Sequence, residues 1–126
     1  MPASARSSEH IDAVAHALAD GTRRGLLRLV RDDERGAGDL ATEFPHMSRP
    51  AVSQHLRVLH DAGLVSIRAE GNRRLYRART EELAHLWQFI DEMWTDRLAK
   101  LAVAAERAER ADQTRSRKTQ PPRSNQ

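Results

Sequence analysis

Cysteine is absent from this chain of 126 residues, which removes disulfides, thiolate metal sites and thiol catalysis together. Aromatic residues are scarce at 4%, so the 39% of hydrophobic residues must build an aliphatic core, enough for one domain. No apolar run approaches the roughly 18–20 residues needed to cross a bilayer. The opening MPASARSSEH has no apolar h-region of a signal peptide. A cytoplasmic protein with no membrane partner is therefore expected. No internal repeat, Ser/His/Asp constellation, Gly-rich phosphate loop or metal triad is evident, so neither an enzyme nor a cofactor is expected.

What the chain does have is an uneven charge. Its net +3 conceals a body, residues 1–110, in which 17 basic and 17 acidic side chains balance, and a tail, residues 111–126, that carries the excess. Within the body, residues 48–79 hold seven arginines (49, 57, 68, 73, 74, 77 and 79) against Asp61 and Glu70, a local +5. The flanking segments are acidic. Cations gathered on one segment are the footprint of a polyanion binder, although a solvated basic surface has the same count.

Hydrophobic period and turn residues divide the chain. Residues 1–8 are rich in Ser and Ala and are expected to lack structure. Ile11, Val14, Ala15 and Leu18 recur at helical spacing over residues 9–19. Asp20-Gly21 breaks that helix, and Thr22 is placed to cap a second one that buries Leu26, Leu27, Leu29 and Val30. The polar run 31–36 reads as a loop. A short helix follows to Phe44, with Asp39 as a cap and Leu40, Ala41 and Phe44 facing inward. Pro45-His46-Met47 is the length of a helix-turn-helix connection. Ser48 is a suitable N-cap for the next helix, Pro50 fits its first turn, and Gly63 suits its left-handed stop. Leu64, Val65 and Ile67 begin a strand whose partner contains Leu75 and Tyr76, and Glu70-Gly71-Asn72-Arg73 forms the hairpin tip. Thr80-Glu81-Glu82 opens a last helix with an apolar stripe at Leu83, Trp87, Ile90, Trp94, Leu98, Leu101 and Ala105. From Asp112 onward no apolar period remains, and a disordered basic tail, residues 111–126, is expected. The fold expected is mainly α with a small β-hairpin, in the order ααααββα.

On a 3.6-residue wheel the helix after Ser48 puts Val52, Leu56 and Leu59 on one side and Pro50, Ser53, Gln54, Arg57 and Asp61 on the other. Gln pairs bidentately with adenine, Arg with guanine, and Ser with bases or phosphates. The N-terminal half of such a helix enters the groove, so Ser48, Arg49, Pro50, Ser53, Gln54 and Arg57 are expected DNA contacts. His55 lies between the faces, as a phosphate ligand or a packed boundary residue. Arg73 and Arg74 at the hairpin tip, with Asn72 beside them and Arg68 and Arg77 on the strands, make a cationic ribbon for backbone phosphates. Any surface helix has a polar face; helix, hairpin and charge together point to double-stranded DNA.

With these residues in view, the chain resembles the ArsR/SmtB family of winged helix-turn-helix bacterial transcriptional repressors. The resemblance rests on LADGTRRGLLRLV, GDLATEF, SRPAVSQHLRVLHDAGLV and GNRRLYRA and covers about residues 10–105. It implies a homodimer whose residues 9–110 both bind DNA and dimerise, with two recognition helices on a palindromic operator, often the protein's own promoter. It also implies a dimer seam from the first and last helices, at Ile11, Val14, Leu18, Trp87, Ile90, Trp94, Leu98 and Leu101. A core within one subunit accounts for the same stripe.

Many members of the family sense metals, but the positions they use are altered here. The thiolate motif of the third helix is replaced by Gly36-Ala37-Gly38-Asp39-Leu40, and the Asp-x-His and His-x-x-Glu pairs of the last helix are absent. Glu81 and His85, four apart, could share a metal across a dimer, but two ligands of this kind are common on surfaces. His10, His16, His46 and His60 are scattered and are expected to be solvent-exposed or packed, not ligands. The chain therefore looks like the cysteine-free branch, with no metal ligands assigned and no effector named by its residues. The rival readings are a metal-responsive sensor, or a winged helix used for non-specific DNA compaction or protein contact.

Overall fold

The computed structural model describes residues 3–119, and side chains from 8 to 116. The elements run α1 (Ala3–Leu18), α2 (Gly21–Leu29), β1 (Arg35–Gly36), α3 (Ala37–Thr42), α4 (Arg49–Asp61), β2 (Val65–Glu70), β3 (Arg73–Ala78) and α5 (Leu83–Thr119). They fall into two compact units, Met1–Gln88 and Phe89–Gln126, with α5 contributing to both.

The first unit is a winged helix-turn-helix. Its core gathers Val14 and Ala17 from α1, Leu26 from α2 with Val30 just beyond it, Leu40 from α3, Val52, Leu56 and Leu59 from α4, and Leu64, Val65 and Tyr76 from the sheet side. The apolar face read for α4 is thus the buried one. Val14 is fully buried, so it is a core residue of one subunit and not a seam residue. Ile11 and Leu18 are half-buried. Ala17 takes the inward position where Ala15, which is exposed, was expected.

Caps explain most of the helix boundaries. The Asp20 carboxylate accepts the amides of Thr22 and Arg23 at 2.8 and 3.1 Å, so Asp20, not Thr22, caps α2. Gly36 stands at the N-cap of α3, which puts Asp39 inside its first turn. Ser48 Oγ accepts the Ala51 amide at 3.2 Å, and Pro50 occupies the first turn of α4, both as the sequence predicts. Gly63 adopts φ +77°, and the Gly63 and Leu64 amides donate to the carbonyls of His60 and Leu59, closing the C-terminus of α4.

The wing pairs β2 with β3 from Val65↔Ala78 to Glu70↔Arg73, leaving Gly71-Asn72 as a two-residue turn with φ +60° at Gly71. Glycine at that first position suits the II′ turn that matches strand twist. The sheet has a third strand that the sequence did not signal. β1 pairs antiparallel with β3 through Arg35↔Tyr76 and Gly36↔Leu75, giving the order β1-β3-β2. Two residues are too few to show a period, and only the free edge of β3 makes them a strand.

Two further boundaries differ from expectation. α1 begins at Ala3, inside the segment expected to be unstructured, and α5 continues through Thr119, well into the expected tail. Residues 1–2 and 120–126 lie outside the described ones. A stripe of apolar residues is not required for helix where Ala, Arg, Glu and Gln, all strong helix formers, extend a nucleated helix. α5 also starts at Leu83, because the carbonyls of Thr80 and Glu81 are taken up in i→i+3 turns by the amides of Leu83 and Ala84.

Candidate nucleic-acid interface

The outward face of α4, the start of α3 and the wing enclose one open groove of about 1090 Å³. Arg49, Pro50, Ser53, Gln54 and Arg57 line its α4 side, and Asn72, Arg73 and Arg74 its wing side. Every base- or phosphate-reading residue named from the helix wheel is therefore here except two. The Ser48 hydroxyl is engaged in its cap. His55 turns away from the groove.

Its surroundings decide the alternative left open for His55. Nη1 of Arg23 lies 3.3 Å from His55 Nδ1. A guanidinium only donates, so Nδ1 is the acceptor in this contact. The side chain is 20% exposed, and His55 is a packed boundary residue. Arg23 is a hub that no motif read from the sequence marked. Its Nε donates to Ala17 O at 2.7 Å and its Nη2 to His16 O at 2.8 Å, so one side chain ties the end of α1 to the middle of α4. The signal was present in Asp20-Gly-Thr-Arg23, where an N-cap acid is followed three residues later by Arg. The amide of Arg23 in turn holds the Asp20 carboxyl below the usual carboxylate range.

The wing arginines divide by what they meet. Arg68 grips Glu34 with Nη2–Oε2 at 2.7 Å and Nε at 3.2 Å, and reaches Glu70 at 3.3 Å. The Arg68 guanidinium pulls the Glu34 carboxyl below its ordinary range, and the Arg77 charge adds to this. In the pairing register Arg68 stands opposite Leu75 and Arg77 opposite Ser66, whereas Ile67 and Tyr76, on the alternate face, line the groove. Arg68 and Arg77 are thus set toward an internal acid and not toward the groove. Arg73, opposite Glu70, shares that face by register, but at the wing tip it lines the groove, 3.2 Å from Asp39 in a pair whose side chains are 63% and 65% exposed. Such a pair is weak and exchanges readily for phosphate.

The start of α3 contributes by being small. A Cβ at Gly38 would lie 2.8 Å from Arg49 Nη2, and one at Gly36 would lie 3.0 Å from Arg73 Nη2. The two glycines let both guanidinium groups settle at the rim of the groove. His60, Asp61 and Tyr76 also line it, and Asp61 and Asp39 are acids that set a limit on its positive potential.

This division has a measurable consequence. Arg73→Ala with Arg74→Ala is expected to weaken all duplexes alike and to make the slope of log affinity against log salt shallower by about two. Arg68→Ala with Arg77→Ala is expected to leave that slope nearly unchanged. Fluorescence anisotropy over a salt series checks this, and equal slopes for the two double variants would contradict the facing assigned here.

Comparison with known proteins agrees with the geometry. Residues 20–66 match the arsR family of bacterial regulatory proteins. The HTH-type transcriptional regulator Rv2034 of Mycobacterium tuberculosis is 44% identical over 91 residues, covering 72% of this chain and 84% of that protein. The arsenical resistance operon repressor of Staphylococcus xylosus is 32% identical, covering 68% and 81%. Among solved structures, a possible transcriptional regulator for arsenical resistance superposes with a TM-score of 0.58 at 43% identity, over 71% of this chain and 92% of that one. The homodimeric winged helix-turn-helix DNA-binding domain of a possible ArsR-family regulator from Mycobacterium bovis gives 0.59 at 31%, over 78% and 90%.

Proposed function

The chain belongs to the ArsR family of winged helix-turn-helix transcriptional regulators, and from that premise we propose that it is a cytoplasmic, homodimeric repressor. Each subunit lays α4 into the major groove of one half of a palindromic operator, its own promoter among its targets. The observation that carries this reading is the single groove where the polar face of α4 meets the cationic tip of the wing. Gln54 and Arg57 have the chemistry to read base edges there, while Arg73 and Arg74 hold phosphates without reading sequence.

A second observation supports the dimer. Among the described residues, the exposed large hydrophobic side chains are Trp87, Phe89, Ile90, Met93, Trp94, Leu98, Leu101 and Val103 on α5, together with Ile67. An apolar patch of that extent on a soluble regulator marks a partner surface. Of the proposed seam, Trp87, Ile90, Trp94, Leu98 and Leu101 are all available to a second copy.

The test is footprinting of the purified protein on its own upstream region, followed by Gln54→Ala on the operator found. The substitution is expected to cost about 1–3 kcal/mol and to relax base preference at one position in each half-site. A specific repressor also keeps its operator against excess random duplex, whereas a compacting protein releases it. Unaltered selectivity in Gln54→Ala would remove Gln54 as a reader.

A further inference from the structure

Outside the residues that line the groove, α1 and the start of α5 bring together His10, Glu82 and His85. One ligand atom from each lies within 4.8 Å of the others. His10 Nδ1 stands 4.0 Å from Glu82 Oε2, too long for a hydrogen bond. The His10 and His85 rings stack with centroids 5.1 Å apart. Glu82 Oε2 is buried and has no hydrogen-bond partner. A buried carboxylate oxygen without a donor is costly, and a cation beside it relieves that cost.

We propose that His10, Glu82 and His85 form a divalent transition-metal site within one subunit, of the zinc, cobalt or nickel class. Two imidazoles and a carboxylate are the donor set these ions accept, with water completing a tetrahedron. A tetrahedral ion with bonds of about 2.0–2.2 Å spaces its donors roughly 3.4 Å apart, so rotation of exposed side chains closes the remaining gap. His10 is half exposed. Neither a thiolate nor the paired motifs of the last helix take part. The i,i+4 pair visible in the sequence, Glu81 and His85, is replaced by Glu82, and the third donor comes from α1, some seventy positions earlier in the chain. Glu82 lies directly over Gly63, where an added Cβ would come within 2.7 Å of its Cγ. An ion here staples α1 to the carboxylate that packs on the stop of the recognition helix.

The test titrates Co²⁺ into the metal-free full-length chain, followed by its visible absorption, with thermal unfolding as the second readout. One ion per chain, displaced by Zn²⁺, and a melting temperature that climbs with metal concentration are expected. His10→Gln and His85→Gln are each expected to weaken Co²⁺ binding about tenfold or more, while His60→Gln, at the DNA groove, leaves it unchanged. Both donor variants remove exposed or half-buried atoms, so their folding is checked by circular dichroism. Absent binding, or binding equally tight in His10→Gln and His85→Gln, overturns the site. Neither result bears on the DNA-binding reading, which is tested separately through Gln54.

Discussion

Replacing Trp94 and Leu98 together by Glu is expected to convert the protein from dimer to monomer and to lower operator affinity by about a hundredfold or more, while leaving helix content intact. Both side chains are largely exposed, at 59% and 48%, so neither is needed to fold the subunit that carries them. They lie four residues apart on α5, on one face with Ile90 and Leu101. Burying that face against a second copy removes apolar surface from water, and two carboxylates there would have to be desolvated without partners. Affinity falls steeply because a dimer binds its second half-site as an intramolecular event, a gain of about 10²–10⁴ that a monomer forfeits. Sedimentation equilibrium and anisotropy on full and half operators measure both effects. A variant that stays dimeric would place the seam elsewhere.

The second large effect is expected inside the subunit. Leu56→Ala should cost about 2–5 kcal/mol of stability through the cavity it leaves, a large share of the roughly 5–15 kcal/mol that a domain possesses. Leu56 is fully buried, as are Val52 and Leu59 nearby on the same helix within 1%. This ridge fixes the axis of α4, so the outward side chains are positioned by the inward ones. Urea denaturation followed by circular dichroism measures the loss. Gln54→Ala, on the exposed face, should leave the urea midpoint unchanged, which separates reading DNA from holding the reader in place. A loss under about 1 kcal/mol for Leu56→Ala would mean that α4 is anchored by other contacts.

How far each feature was legible follows from the range of the interaction behind it. Ser48, Pro50 and Gly63 bound α4 by contacts within a few residues, and their chemistry reads directly from a string of letters. The same holds for the inner face of α4 and for the glycine turn of the wing, since 3.6-residue and two-residue periods are local properties. Thr22 was a reasonable cap by type, but Asp20 holds that role because its longer side-chain reach takes two amides at once. The long helix beyond Ala111 was missed for a different reason. Composition without an apolar stripe signals what cannot pack, not what cannot coil.

What no local pattern contained is pairing between residues far apart in the chain. Arg68, Arg73, Arg74 and Arg77 are equivalent letters in one basic segment, yet Glu34 takes the first and Asp39 leans on the second. Strand alternation could have separated Arg68 from Tyr76, but only with the register known. His55 had two open roles until Arg23, on another helix, took its Nδ1. Val14 had the spacing of a seam residue, and full burial within the core cluster of its own subunit made it core.

By itself, the sequence determined that a capped helix with an apolar ridge is followed by a cationic hairpin, and that no thiolate chemistry is open to the chain. Helical period, capping and strand alternation depend on near neighbours, so the letters suffice for these. Only the tertiary structure decided which arginines line the groove, that a two-residue strand completes the sheet, and that His10 meets Glu82 and His85. Those outcomes depend on the close approach of residues some thirty to seventy positions apart, and the chain reaches them only by packing around one core.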